Sequence, residues 1–144
     1  MIKIKNISAQ ETYELRLSVL RNNIDLPYKL EGDEDENTFH LGAFYEKKLV
    51  GIATFMKSNL EAFDVEQYQL RGMATVPEVR GMGAGKKLIN KAIEISEERK
   101  ITVLWCNARK EAVGFYENLG FKITGEEFEV PKVGAHFKMY YLVS

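Results

Sequence analysis

Val79-Arg80-Gly81-Met82-Gly83-Ala84-Gly85-Lys86-Lys87 sets three alternate glycines among basic side chains. Glycine reaches positive φ at no steric cost and brings no side chain that would keep a ligand off the backbone. Successive N–H groups in such a tract can converge on one point. Where a helix follows, that point lies at the positive end of its dipole, a geometry that holds phosphate oxygens. A strand is predicted before the tract and a helix after it. Over Glu66–Val76, alternation separates Tyr68, Leu70 and Ala74 from Gln67, Gln69, Arg71 and Thr75, and Pro77 ends the strand because it has no N–H to donate. From Lys86 to about Arg99, Leu88, Ile89, Ala92 and Ile93 recur at helical spacing. Arg71, Arg80, Lys86, Lys87 and Lys91 face one acid in this region, Glu78. The tract is not a Walker A loop, because Arg80 replaces its first glycine and Lys87 its magnesium-binding hydroxyl residue. A dinucleotide fingerprint fails as well, since Lys86 occupies the place of the third glycine. The plainer alternative is a strand-to-helix turn without a ligand, but turn geometry alone does not call for three glycines flanked by positive charge.

Outward from the tract, the 144 residues are one domain's worth, and residues 1–144 are expected to form a single domain. Hydrophobic residues at 45% and charged residues at 28% describe an ordinary globular chain. Twenty Lys and Arg against 21 Asp and Glu leave a formal charge of −1, which argues against a nucleic-acid binder with a basic body. One cysteine, Cys106, and two histidines argue against a disulfide and a zinc cage, so no metal is expected. No apolar run has membrane-spanning length and the opening residues lack a signal-like apolar core, so the expected location is cytoplasmic with no membrane partner.

Ile2–Ile7 alternates as a strand, and Ser8-Ala9-Gln10-Glu11 has the spacing of a capping box. The helix it opens is expected to present Tyr13, Leu17 and Leu20 on its apolar face as far as about Arg21. Residues 22–38, with Glu31, Asp33, Glu34, Asp35 and Glu36 around Gly32, read as a solvated loop or as a loop flanking a site for a cationic substrate. Phe39–Tyr45 and Leu49–Met56 form a hairpin about Glu46-Lys47-Lys48. Ile101–Ala108 reads as a buried strand and Ala112–Leu119 as a helix closed by Gly120. Phe121–Thr124 and His136–Val143 complete the pattern as strands. The order implies a layered α/β (α+β) domain with a mostly antiparallel sheet.

Val79–Gly85 resembles the Q/R-x-x-G-x-G/A pyrophosphate loop of the GCN5-related N-acetyltransferases, and Met73-Ala74-Thr75 resembles the segment of that family that meets the pantetheine arm. Ala112-Val113-Gly114-Phe115-Tyr116-Glu117-Asn118-Leu119-Gly120-Phe121 is similar to the family's A-x-x-F-Y-x-x-x-G-F element. The resemblance covers about residues 66–124, and the flanking elements fit the family order β-α-α-β-β-β-α-β-α-β-β. It implies a mixed sheet with a V-shaped splay between central strands, helices on both faces, and acetyl-CoA lying in the splay between the strands ending near Val76 and Ala108.

The resemblance places the cofactor arm on backbone atoms of Met73 and Thr75, and the pyrophosphate on Arg80, Gly81, Met82, Gly83, Ala84 and Gly85, with Arg80 acting mainly through its amide. It makes Tyr116 the acid that protonates the departing thiolate and puts an oxyanion-stabilising N–H near Ala74. An alkylamine must lose a proton before it attacks. Gln69 stands where the histone-acetylating branch carries a glutamate base, and an amide cannot take that proton. Glu66, Glu127, His136 or a water chain are the substitutes. The family's asparagine position holds Arg109, leaving Asn107, two residues earlier, as a contact for the cofactor amide. Cys106 lacks a suitably placed histidine and reads as an inert thiol rather than a nucleophile.

The function implied is transfer of acetyl from acetyl-CoA to a primary amine, on a small molecule or a peptide, by direct attack in a ternary complex. The alternative is a catalytically silent acyl-CoA-binding or sensing domain. Tyr116 favours the enzyme, and Gln69 tilts toward silence. The acidic run hints at a cationic acceptor, Arg21 and Arg71 at a carboxylate. Homodimers are common in the family.

Overall fold

The computed structural model describes residues 1–60 and 65–143. Its elements run β1 (Ile2–Ile7), α1 (Ala9–Leu15), β2 (Phe39–Tyr45), β3 (Lys48–Lys57), β4 (Gln67–Thr75), α2 (Ala84–Arg99), β5 (Val103–Arg109), α3 (Val113–Asn118), β6 (Lys122–Val130) and β7 (Gly134–Leu142). The strands form one sheet in the order β1-β2-β3-β4-β5-β7-β6. Neighbours are antiparallel except β4 and β5, which are parallel and joined through α2, as a parallel pair requires. Leu88, Ile89 and Ala92 of α2 are fully buried in the cluster that holds Leu41, Phe55, Leu70 and Leu104. On the opposite face Leu15 of α1 packs with Ile52 and Ala74. Helices therefore cover both faces, as expected.

The first helix departs from expectation. Its capping box is present: the Glu11 amide donates to Ser8 Oγ at 3.2 Å and the Ser8 amide to Glu11 Oε1 at 2.9 Å. The buried face, however, is Ala9, Thr12, Leu15 and Arg16, while Leu17 is 46% exposed. Two polar residues can face inward because each finds a partner. The Thr12 hydroxyl donates to the Ala9 carbonyl at 2.6 Å, and Arg16 is held by an ion pair. From Arg16 to Leu20 the helix widens to π geometry, closed by the Arg21 amide donating to the Arg16 carbonyl at 2.9 Å. Residues 21–38 then run in turns, so one helix with its π-helical end stands where the family order has two.

β4 carries the other departure. Thr54 pairs with Arg71 and Ile52 with Ala74, which leaves one residue on β3 opposite two on β4, Gly72 and Met73. Gly72 sits at φ +60° in this bulge. The extra residue reverses the alternation: Leu70 faces α2, whereas Ala74 faces α1 beside Ile52. The β4–β5 ladder runs from Gln67↔Val103 to Leu70↔Cys106 and stops there, although the strands continue to Thr75 and Arg109. β6 extends to Val130 rather than Thr124. Its edge position and mostly exposed, charged residues give it little hydrophobic pattern to read.

Candidate active site

After β4, Pro77–Val79 makes a single 3-10 turn, and the chain enters α2 through Gly81 and Gly83 at φ +86° and +80°. α2 starts at Ala84, two residues before the expected Lys86, with Gly83 as its N-cap. A Cβ on Gly81 or Gly83 would meet nothing within 4 Å, so the space before them is open. Two amides of the tract are already used. The Arg80 N–H donates to the Pro77 carbonyl at 3.2 Å and the Met82 N–H to the Val79 carbonyl at 3.0 Å. Among the described residues, the amides of Gly81, Gly83, Ala84 and Gly85 have no protein acceptor. They stand at the positive end of a 16-residue helix, where an anion is favoured. The Lys86 amide, in the first turn of α2, is free in the same way, whereas the Arg80 amide is not. Gly85 serves packing as well: a Cβ there would lie 3.1 Å from the Phe115 ring. A cavity of about 630 Å³ lies against this turn, walled by Met73, Ala74, Thr75, Gly83, Gly85 and Phe115 among others.

A second cavity, of about 670 Å³, adjoins the first at Met73 and Phe115 and opens where β4 and β5 stop pairing. Gln69, Cys106, Asn107, Tyr116 and His136 line it. Tyr116, on α3, is 7% exposed, and its phenol donates a hydrogen bond to the Cys106 thiol on β5. Burial raises the Tyr116 pKa above the ordinary phenol value, and the neighbouring Cys106 adds to it. Burial likewise pushes the Cys106 thiol up to about 12, against the lowering effect of that hydrogen bond. At neutral pH this wall therefore offers a protonated phenol and an un-ionised thiol, and Cys106 is no nucleophile. Asn107 is exposed, and its Oδ1 accepts from Lys138 Nζ at 3.1 Å.

The three side chains considered as bases separate clearly. Glu66 pairs with Lys57 at 3.4 Å and Glu127 with Lys110 at 3.3 Å, both outside the cavity wall. His136 lines the cavity, opposite Arg109 in the β5–β7 ladder. Its Nδ1–H donates to the Gly134 carbonyl at 2.8 Å, because a carbonyl can only accept. In the neutral ring this fixes the tautomer and leaves the lone pair on Nε2.

One constellation was not legible in the sequence. Arg16, 2% exposed, makes a bidentate pair with Asp33 (Nη1–Oδ2 2.7 Å, Nη2–Oδ1 2.9 Å) and also donates to the Tyr28 carbonyl at 3.0 Å and to Thr54 Oγ1 at 2.9 Å. His40 Nε2–H donates to the Asp33 carbonyl at 3.0 Å, and His40 Nδ1 lies 2.7 Å from Thr54 Oγ1. Burial works to raise Asp33, but hydrogen bonds from Arg16 and the Leu30 amide, with the charges of Arg16 and His40, outweigh it and hold the carboxyl below its usual value. This network ties residues 28–33 over the second cavity, so Asp33 of the acidic run is an internal anchor. No periodic signal marks such a pair; only the fold brings positions 16, 33 and 54 together.

A glycine turn with free amides at a helix N-terminus, beside two parallel strands that stop pairing, defines a class of protein that grips a phosphate-bearing carrier next to an open sheet edge. The chain belongs to the GNAT acetyltransferase family, whose family model matches residues 4–121. It is an acetyl-CoA-dependent N-acetyltransferase. It is 39% identical over 142 residues to YitI of Bacillus subtilis strain 168, described as an uncharacterized N-acetyltransferase, covering 97% of this chain and 95% of that one. A 63-residue stretch is 38% identical to the peptidyl-lysine N-acetyltransferase YjaB of Escherichia coli K12, covering 44% of this chain and 41% of that one. Among solved structures, Escherichia coli ElaA superposes with a TM-score of 0.79 at 22% identity over 97% of this chain and 99% of its own, a likeness of fold. Among the described residues no helix is long and apolar enough to cross a membrane.

Proposed function

We propose that residues 1–144 act as one catalytic domain that moves acetyl from acetyl-CoA to a primary amine by direct attack in a ternary complex. The observation that carries this reading is the set of unpartnered amides at Gly81, Gly83, Ala84 and Gly85, opening onto a cavity that adjoins the one holding Tyr116. These amides would hold the diphosphate, with the Arg80 side chain and the open flanks of Gly81 and Gly83 beside it. Backbone atoms of Met73 and Thr75 would meet the arm, and Asn107 would reach its outer amide.

Acetyl-CoA supplies a thioester carbonyl that accepts the amine. His136, the one of Glu66, Glu127 and His136 that lines the cavity, takes the ammonium proton through Nε2, directly or through water. A backbone N–H near Ala74 stabilises charge on the carbonyl oxygen. As the C–N bond forms and the C–S bond breaks, the Tyr116 hydroxyl delivers its hydrogen to the leaving sulfur. The second proton shed by the nitrogen returns through water to the phenolate, so that amide, thiol and phenol all end neutral, and the ammonium proton on His136 passes to solvent. Burial keeps the phenol in its protonated form at neutral pH, so the hydrogen is there to be given. Cys106 holds the hydroxyl in place before the cofactor sulfur arrives.

Thermal unfolding with and without acetyl-CoA tests the turn. Ligand at 100 times its dissociation constant stabilises by about 2.7 kcal/mol, a rise of about 10 °C for a chain of this size. Gly83→Val forces a branched side chain into a left-handed position and is expected to abolish the rise while the protein still melts cooperatively. An unchanged wild-type midpoint, or an undiminished rise in the variant, contradicts the reading. Release of coenzyme A that depends on an added amine then separates the enzyme from a silent binding domain.

A further inference from the structure

The second cavity is unusually cationic for a protein of net charge −1. Arg16, Arg21, Lys29, Arg71 and Arg109 line it against a single acid, Glu31. Their placement is specific to the reaction end of the cavity. Arg71 follows Leu70, the last β4 residue paired to β5, and Arg109 closes β5 on the far side of the gap. Arg21 closes the π-helical turn. Among the described residues, Arg21, Arg71 and Arg109 have no acidic partner. Arg16 is neutralised by Asp33, yet its Nε–H is buried without an acceptor. That Nε lies 3.2 Å from where a Cβ on Gly72, also in the cavity wall, would stand. Arg21 is held below its ordinary value by burial and then by the charges of Arg109, Arg71 and Arg16, so these guanidinium groups act on one another. A purely cationic acceptor such as a polyamine would add to that repulsion. An acceptor with a carboxylate would relieve it and give these groups a charged partner. The Arg21 Nε–H already donates to the Pro27 carbonyl at 3.0 Å, which leaves its terminal nitrogens for such a group.

We infer that the acceptor is a small amine that also carries a carboxylate, an amino-acid-like molecule whose carboxylate is bound among Arg21, Arg71 and Arg109 while its amine faces the gap between β4 and β5. This rests on the acetyltransferase reading and narrows it.

Matched acceptors test it through acetyl-CoA-dependent thiol release: L-alanine against L-alaninamide, L-glutamate against its diamide, with spermidine and O-phosphoethanolamine alongside. Amidation makes the amine less basic, which by itself favours attack, so a preference for the free acids reports recognition. The free acid of at least one pair is expected to exceed its amide in kcat/KM by about tenfold or more, the scale of one charge-assisted hydrogen bond. Arg71→Gln and Arg109→Gln are expected to erase that preference through KM while retaining the thermal shift with acetyl-CoA. Amides or spermidine turned over as well as the acids, turnover confined to O-phosphoethanolamine, or a preference that survives both variants overturns the inference and leaves the acetyltransferase standing. If acetyl-CoA binds but no amine is acetylated, the same pairs are compared for stabilisation of the protein bound to coenzyme A; equal effects of acid and amide overturn it too. Absence of any acetyl-CoA shift is the separate failure of the underlying reading.

Discussion

Tyr116 shows how a residue's neighbours fix what it can do. Phe115 and Phe121 pack on its ring at centroid distances of 5.1 and 5.4 Å, which orients the phenol, while the hydroxyl end meets Cys106. Removing that oxygen takes away the proton donor and leaves the packed ring in place. Tyr116→Phe is therefore expected to lower kcat by about 10²- to 10⁴-fold, the usual worth of a positioned acid, with little change in KM for acetyl-CoA. Steady-state kinetics with any accepted amine reads this directly, and a variant of near-normal kcat removes Tyr116 from the chemistry. At this scale the sequence was informative where a motif surrounds the residue, as in Ala112–Phe121. It was uninformative at Arg16, whose burial depends on Asp33 and Thr54, 17 and 38 positions away.

Among elements, α1 and the turns that follow it matter most for the acceptor. The Arg16–Asp33 pair joins the start of the π-helical turn to the residues that cover the second cavity, and Thr54 and His40 tie both to the sheet. Breaking one member of a buried pair leaves the other charge unpaired, at a cost of about 3–5 kcal/mol. Asp33→Asn is accordingly expected to lower the melting temperature by about 10 °C or more and to weaken acceptor affinity more than acetyl-CoA affinity, because the Gly81–Gly85 turn lies outside this network. A melting temperature within a degree or two of the parent would show that the pair anchors nothing. The elements themselves were largely legible, since hydrophobic period and capping signals placed six strands and the three helices near their observed positions, while β6 was read for only its first residues. Their facing was less so. A single bulge residue at Gly72 reversed the reading of β4 beyond it, because a period of two carries no memory of an inserted residue. The apolar face assigned to α1 failed because Thr12 and Arg16, polar by type, face inward with partners that hydropathy does not see.

For the whole molecule, the buried titratable groups at the site set how stability changes with pH. Asp33 has a lowered folded pKa, so its contribution is present above the unfolded carboxylate value of about 3.9 and is lost as pH falls through the folded value. Cys106 and Tyr116 have raised folded pKa values, so their contributions are complete below the unfolded values and decline as pH rises. The thiol begins first. Its unfolded pKa is about 8.5 and its folded value about 12, so between those limits the unfolded chain releases a proton that the native protein keeps. The slope from this one group approaches about 1.4 kcal/mol per pH unit. Between about pH 8.5 and pH 10 the phenol contributes little, since unfolded tyrosine titrates near 10. Urea midpoints across that interval are expected to fall in the parent and to be nearly flat in Cys106→Ala, whatever the cost of the substitution at neutral pH. If both proteins lose stability with the same slope, the thiol does not titrate on unfolding, and Cys106 is not the un-ionised partner that holds the Tyr116 hydroxyl.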